Sequence, residues 1–137
     1  MAWTNPRTWG AEQLLSADLN PHVRDNLNYL KANIGLGASV ELTIAAGVVT
    51  KTKGYHSVDT QGDAATDDLD TINGGSEGDV LILRAENTAR DVVLKHNTGN
   101  LQLAAGADFT LDSTEDTIML IYDSANWLEL SRSTNEV

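Results

Sequence analysis

The hydropathy period of this chain changes once, between residues 35 and 39, and that change limits what the chain can build. Before it, Val23, Leu27, Leu30 and Ile34 recur at spacings of four, three and four. Such spacing puts all four on one stripe of a helix. After it, Val40, Leu42 and Ile44 alternate with Glu41 and Thr43, the two-residue period of a half-buried strand. One helix followed by a strand-rich body is the expected plan. It divides into an arm over residues 1–18, a helix over 19–36 and a β-rich body over 37–137.

The helix has its own punctuation. Asn20 is an N-cap type, able to accept from the first free backbone N–H groups. Pro21 follows at the first helical position, where its missing N–H costs nothing. Gly35 and Gly37 end the segment. A helix of about fourteen residues is marginal alone in water, so its stripe must be covered. The cover is either its own domain or copies of itself on a symmetry axis. The stripe Val23, Leu27, Leu30, Ile34 also fits a heptad seam, and we take it as the candidate oligomer interface. The arm carries Trp3 and Trp9 with Pro6 between them. A short irregular segment cannot bury two indoles by itself. They fold back as a lid, or they dock into a neighbouring subunit or another protein; the docking reading makes Trp3, Pro6 and Trp9 candidate anchors.

Within the body, short alternating stretches separated by glycine, asparagine and aspartate turns predict about eight to ten strands. Residues 60–78 are rich in acids and turn formers and read as a long surface loop with a brief turn of helix or strand near Leu69, pinned to the core by Leu69 and Ile72. Residues 80–83 and 118–121 are apolar without alternation. A strand covered on one face only would alternate. Their second face is therefore covered by a neighbouring subunit or by the centre of a sandwich. The expected fold class is mainly β, an antiparallel sandwich or barrel-like body.

Charge narrows the function. The net charge is −11 over 137 residues. Residues 1–36 carry three bases and three acids, so the whole excess lies in the body. A surface this acidic repels nucleic acid phosphates, and no apolar run is long enough to span a membrane. The opening residues lack the pattern of a secretory signal, so synthesis in a cytoplasm is expected. Without cysteine, thiolate metal sites and disulfides are excluded.

No catalytic pattern stands out. Asp63, Asp67, Asp68 and Asp70 lie together, yet their spacing matches no EF-hand loop, and a solvated acidic loop is the expected reading. His22, His56 and His96 are not spaced as metal ligands. Ser57 and Ser76 lack a nucleophile-elbow context, and the glycines at 74, 75 and 78 lack the Lys-Ser/Thr ending of a phosphate loop. The expectation is a non-enzymatic protein with no cofactor and no metal.

The opening stretch from Trp3 and Trp9 through Asp18-Leu-Asn-Pro-His-Val-Arg-Asp-Asn-Leu27 and Leu30 resembles the N-terminal segment of tailed-bacteriophage virion proteins. The stretches Gly78-Asp-Val-Leu-Ile-Leu83, Asp116-Thr-Ile-Met-Leu-Ile-Tyr-Asp123 and Trp127-Leu-Glu-Leu130 are similar to the β-rich heads of phage fibres. The resemblance implies a virion structural protein, a homotrimer held by its N-terminal region to capsid, portal or tail components. No extended shaft or repeat array separates helix from head, which favours a short fibre, spike or decoration over a long tail fibre. The alternative is an adhesin tip that binds host-surface glycans. Tyr55, Tyr122 and Trp127 are its candidate ligand contacts, because sugar rings stack on aromatic faces.

Overall fold

The computed structural model describes residues 23–33 and 36–135. The chain divides into two units, Met1–Gly37 and Ala38–Val137. The described part of the first is helix α1 (Asp25–Asn33), preceded by a wider turn at Val23 and Arg24. Asp25 in its first turn complements the positive end of the helix.

The second unit is built of eleven strands: β1 (Val40–Thr43), β2 (Val48–Thr50), β3 (Tyr55–Asp59), β4 (Thr66–Leu69), β5 (Thr71–Asn73), β6 (Val80–Ala85), β7 (Asp91–Leu94), β8 (Leu101–Gln102), β9 (Phe109–Leu111), β10 (Thr117–Tyr122) and β11 (Trp127–Ser133). They form a six-stranded sheet in the order β1-β3-β6-β10-β11-β8, a three-stranded sheet β4-β7-β9 and a pair β2-β5. Inner faces of all three supply one core, including Val58, Leu69, Ile72, Leu81, Leu83, Val92, Leu94, Leu111, Ile118, Leu120 and Trp127. The mainly β class and the sandwich are as expected.

Strand direction is not. β1–β3, β3–β6, β2–β5, β4–β7 and β8–β11 pair parallel, so the expected antiparallel arrangement is corrected to a mixed one. The cause is the path of the chain. From β3 it visits the three-stranded sheet (β4), the pair (β5) and the six-stranded sheet (β6), then the three-stranded sheet again (β7). Each circuit lays a strand beside its predecessor in the same direction. Antiparallel ladders join β7 to β9, β6 to β10 and β10 to β11.

Residues 60–78 are also more ordered than a surface loop. They hold β4 and β5, whose Leu69 and Ile72 are fully buried, as the pinning reading requires. The acids that disguised these strands have local work. Asp67 accepts from the Gln61 and Asp68 N–H groups, and Asp63 pairs with Arg90. Ala46-Gly47 makes the turn between β1 and β2, with φ of 51° and 78°. That is the two-residue hairpin geometry that favours glycine.

Candidate functional site

The site is the outer face of the six-stranded sheet. β6 and β10 lie at its centre. Their inward residues, Leu81, Leu83, Ala85, Ile118 and Leu120, are fully buried. By alternation, Val80, Ile82, Met119 and Ile121 point the other way. Register places them side by side: Met119 opposite Ile82, Ile121 opposite Val80, Tyr55 of β3 beside Ile82, and Leu128 of β11 opposite Ile121. The result is a continuous apolar patch across four strands. Val80 is 42% exposed, and Leu130, the residue left unpaired at the β-bulge in the β10–β11 ladder, is 54% exposed. Gln102 and Ser57 border the patch, and Arg84 follows Ile82 along β6 on the same face. No carboxylate pairs with the patch residues in the ladders; Glu41 lies on edge strand β1 beyond Ser57, and Glu86 and Asp123 lie just past the ends of β6 and β10. In a body that carries the whole −11, an acid-free apolar field is the exception. Contiguous apolar area of this kind marks contact surfaces on soluble proteins.

Beneath β10 and β11 lies the hub that holds this face flat. Trp127 is fully buried, and its Nε1–H donates to the Ile72 carbonyl at 3.0 Å. Asn100 reads the same residue like a peptide: Oδ1 accepts from Ile72 N–H and Nδ2 donates to Ile72 O, both at 2.9 Å. The Asn100 carbonyl in turn accepts from Trp127 N–H at 2.8 Å. Tyr122 packs against the indole, ring centroids 5.0 Å apart. Gly75 is required here, since a Cβ would stand 2.8 Å from Tyr122 Cγ and 2.9 Å from Trp127 Cζ2. Lys51 Nζ lies 6.0 Å from the indole centroid and pairs with Asp79 at 2.7 Å, closing the top of the hub.

His56 secures the edge. It is fully buried; Nδ1 donates to the Val40 carbonyl at 2.7 Å and Nε2 accepts from Thr52 and Lys53 N–H. This fixes one neutral tautomer, because a second ring proton would face two donors. Burial pushes its pKa below 6.5, and Lys51 and Lys53 push the same way, against the Val40 hydrogen bond. The unfolded chain therefore takes up this proton first as pH falls. Stability drops as pH passes below the ordinary imidazole value, and this loss levels off beneath the folded value. We expect the NMR titration midpoint of His56 to lie below 6.5; a midpoint at or above 6.5 would contradict the assignment.

The sequence-predicted residues distribute unevenly. Val23, Leu27 and Leu30 are 43%, 59% and 38% exposed, so the helix stripe is open. Ile34 lies outside the described residues, as do Trp3, Pro6 and Trp9, and with them the anchor reading. Of the candidate glycan contacts, Tyr55 and Tyr122 are half-buried. Trp127 is corrected: its ring is enclosed in the core and has no free face for a sugar. The turn signals at residues 123–126 suggested a loop tip, but the indole folds inward from it. Among the described residues no cluster of three His, Cys, Asp or Glu side chains is arranged to hold a metal. The apolar face was legible in the missing alternation of residues 80–83 and 118–121. The Asn100–Ile72 clasp and the His56 clip carried no sequence signal.

Fold and face together define a β-sandwich body with one shielded and one open apolar surface. The model of the phage depolymerase C-terminal beta sandwich domain family matches residues 57–128, more than half of the 137 residues. The chain belongs to that family, and membership fits a phage tail- or fibre-type protein. The match runs from β3 into β11 and so contains the central strands of the apolar face. No curated protein matches the chain.

Proposed function

We propose that this chain is a non-enzymatic virion structural protein that self-associates, as a homotrimer, through the outer face of its six-stranded sheet. It forms a short fibre, spike or decoration, with the N-terminal region as the attachment to the particle. The observation that carries the reading is the acid-free apolar field of Tyr55, Val80, Ile82, Met119, Ile121 and Leu128. Copies of the same chain are the fitting occupant. Two bodies of like acidic charge repel except where acids are lacking, and this face is such a place. The open stripe Val23, Leu27 and Leu30 gives the first unit a matching need for cover. Covering each large aliphatic side chain fully contributes about 1.5–3 kcal/mol. Threefold symmetry follows from the likeness to phage fibre heads, not from the patch itself.

Attachment is tested on particles. Deleting residues 1–12 should leave a folded body that no longer co-purifies with virions, because Trp3, Pro6 and Trp9 are removed while β1–β11 are untouched. Normal incorporation of the truncated chain would overturn the anchoring role.

A further inference from the structure

We propose that the β9–β10 loop binds a divalent cation of the hard, oxygen-preferring class, Ca2+ first among them, through the carboxylates of Asp112 and Asp116. Asp116 is fully buried at the base of the loop. Its Oδ1 accepts from the Asn135 N–H at 3.1 Å. Its Oδ2 is buried, and among the described residues no donor reaches it. A carboxylate out of water needs a donor or a cation. What this one faces is another carboxylate, that of Asp112, four residues earlier in the same loop.

The surroundings add charge of the same sign. Asp91 stands beside Asp112, since the β7–β9 ladder that pairs Val92 with Leu111 continues to that pair. A single shared proton would leave one negative charge on the Asp112–Asp116 pair. A divalent cation leaves none. Asp112 is exposed and Asp91 half-exposed, so these two carboxylates face solvent above the buried Asp116. The loop is already folded for it. Ser113 Oγ accepts from Glu115 N–H, Ser113 O accepts from Asp116 N–H, and Asn135 Nδ2 donates to Glu115 O. This ties the loop to the residues after β11, so an ion here joins the last strand to the β9–β10 turn.

The ligand set is sparse. Among the described residues no third acidic or imidazole side chain completes a metal cluster, so water fills much of the shell. Affinity belongs in the weak range of extracellular calcium modules, a Kd of roughly 10⁻⁴–10⁻³ M.

The test is calorimetric titration of the full chain with Ca2+, alongside unfolding in 10 mM Ca2+ and in EGTA at matched ionic strength. Matching is needed because salt alone relieves an acidic surface. At a Kd near 0.3 mM, the unfolding constant should fall by about thirty-fold in Ca2+. Asp116→Asn keeps the acceptor for Asn135 N–H and supplies the missing donor to Asp112, so it folds; it should lose the Ca2+ response. Asp112→Asn, at an exposed position, should lose it too. An unfolding constant equal in Ca2+ and EGTA, with no heat of binding, overturns the site in favour of a shared proton. A response that survives both substitutions overturns it in favour of a cation held elsewhere.

Discussion

Trp127→Ala should cost the body about 3–5 kcal/mol, the range for emptying a buried aromatic position. Domains of this size hold only about 5–15 kcal/mol in total, so the variant should be close to unfolded at physiological temperature. Several links fail together. The indole fills the space between β10–β11 and the Ile72 strand, and it is the surface against which Tyr122 and Gly75 pack. Ile72 O keeps one donor, Asn100 Nδ2, so the loss is mainly of packing, not of a hydrogen bond. Urea unfolding followed by far-UV circular dichroism measures it. A loss below about 1 kcal/mol would show that the hub does not hold the sheet.

Ile82→Asp should act oppositely, sparing the subunit and destroying the assembly. Ile82 is half-buried on the outer face between Tyr55 and Met119. In a lone subunit a carboxylate there stays within reach of water, and the loss of the half-buried side chain and of strand propensity should cost about 1–2 kcal/mol. Between subunits the same carboxylate would be buried without a partner, at several kcal/mol per copy. The variant should remain folded, with a modestly lower urea midpoint, and sediment as a monomer. Association of the unmodified chain should also strengthen with added salt, because screening weakens repulsion between like-charged bodies. A variant that stays associated would remove the face from the interface.

How far the residues announced this architecture depended on whether their signals were local. The apolar runs in β6 and β10 were visible because a strand shielded on both sides abandons alternation, and both are central strands. Leu69 and Ile72 were legible as core residues within an acidic stretch. A brief turn of helix or strand was legible near Leu69, but the two strands and their partners were not, since aspartate is a poor strand former and the pairing of β4 with β7 and β5 with β2 joins segments more than twenty residues apart. Parallel direction was hidden for the same reason: it follows from the circuit of the chain, which no local pattern encodes. Trp127 misled because its neighbours signal a turn, whereas its place is set by the distant Ile72 carbonyl and Asn100. Asp116 read as one acid among many; only its burial beneath Asp112 sets it apart.

The central claim is that one copy of this chain leaves a sheet face bare that other copies cover. Sedimentation equilibrium of the unmodified, full-length chain at micromolar concentration tests it most directly. The account predicts a species of three times the 14.7 kDa chain mass. A single 14.7 kDa species across that range, at low and high salt alike, would contradict it.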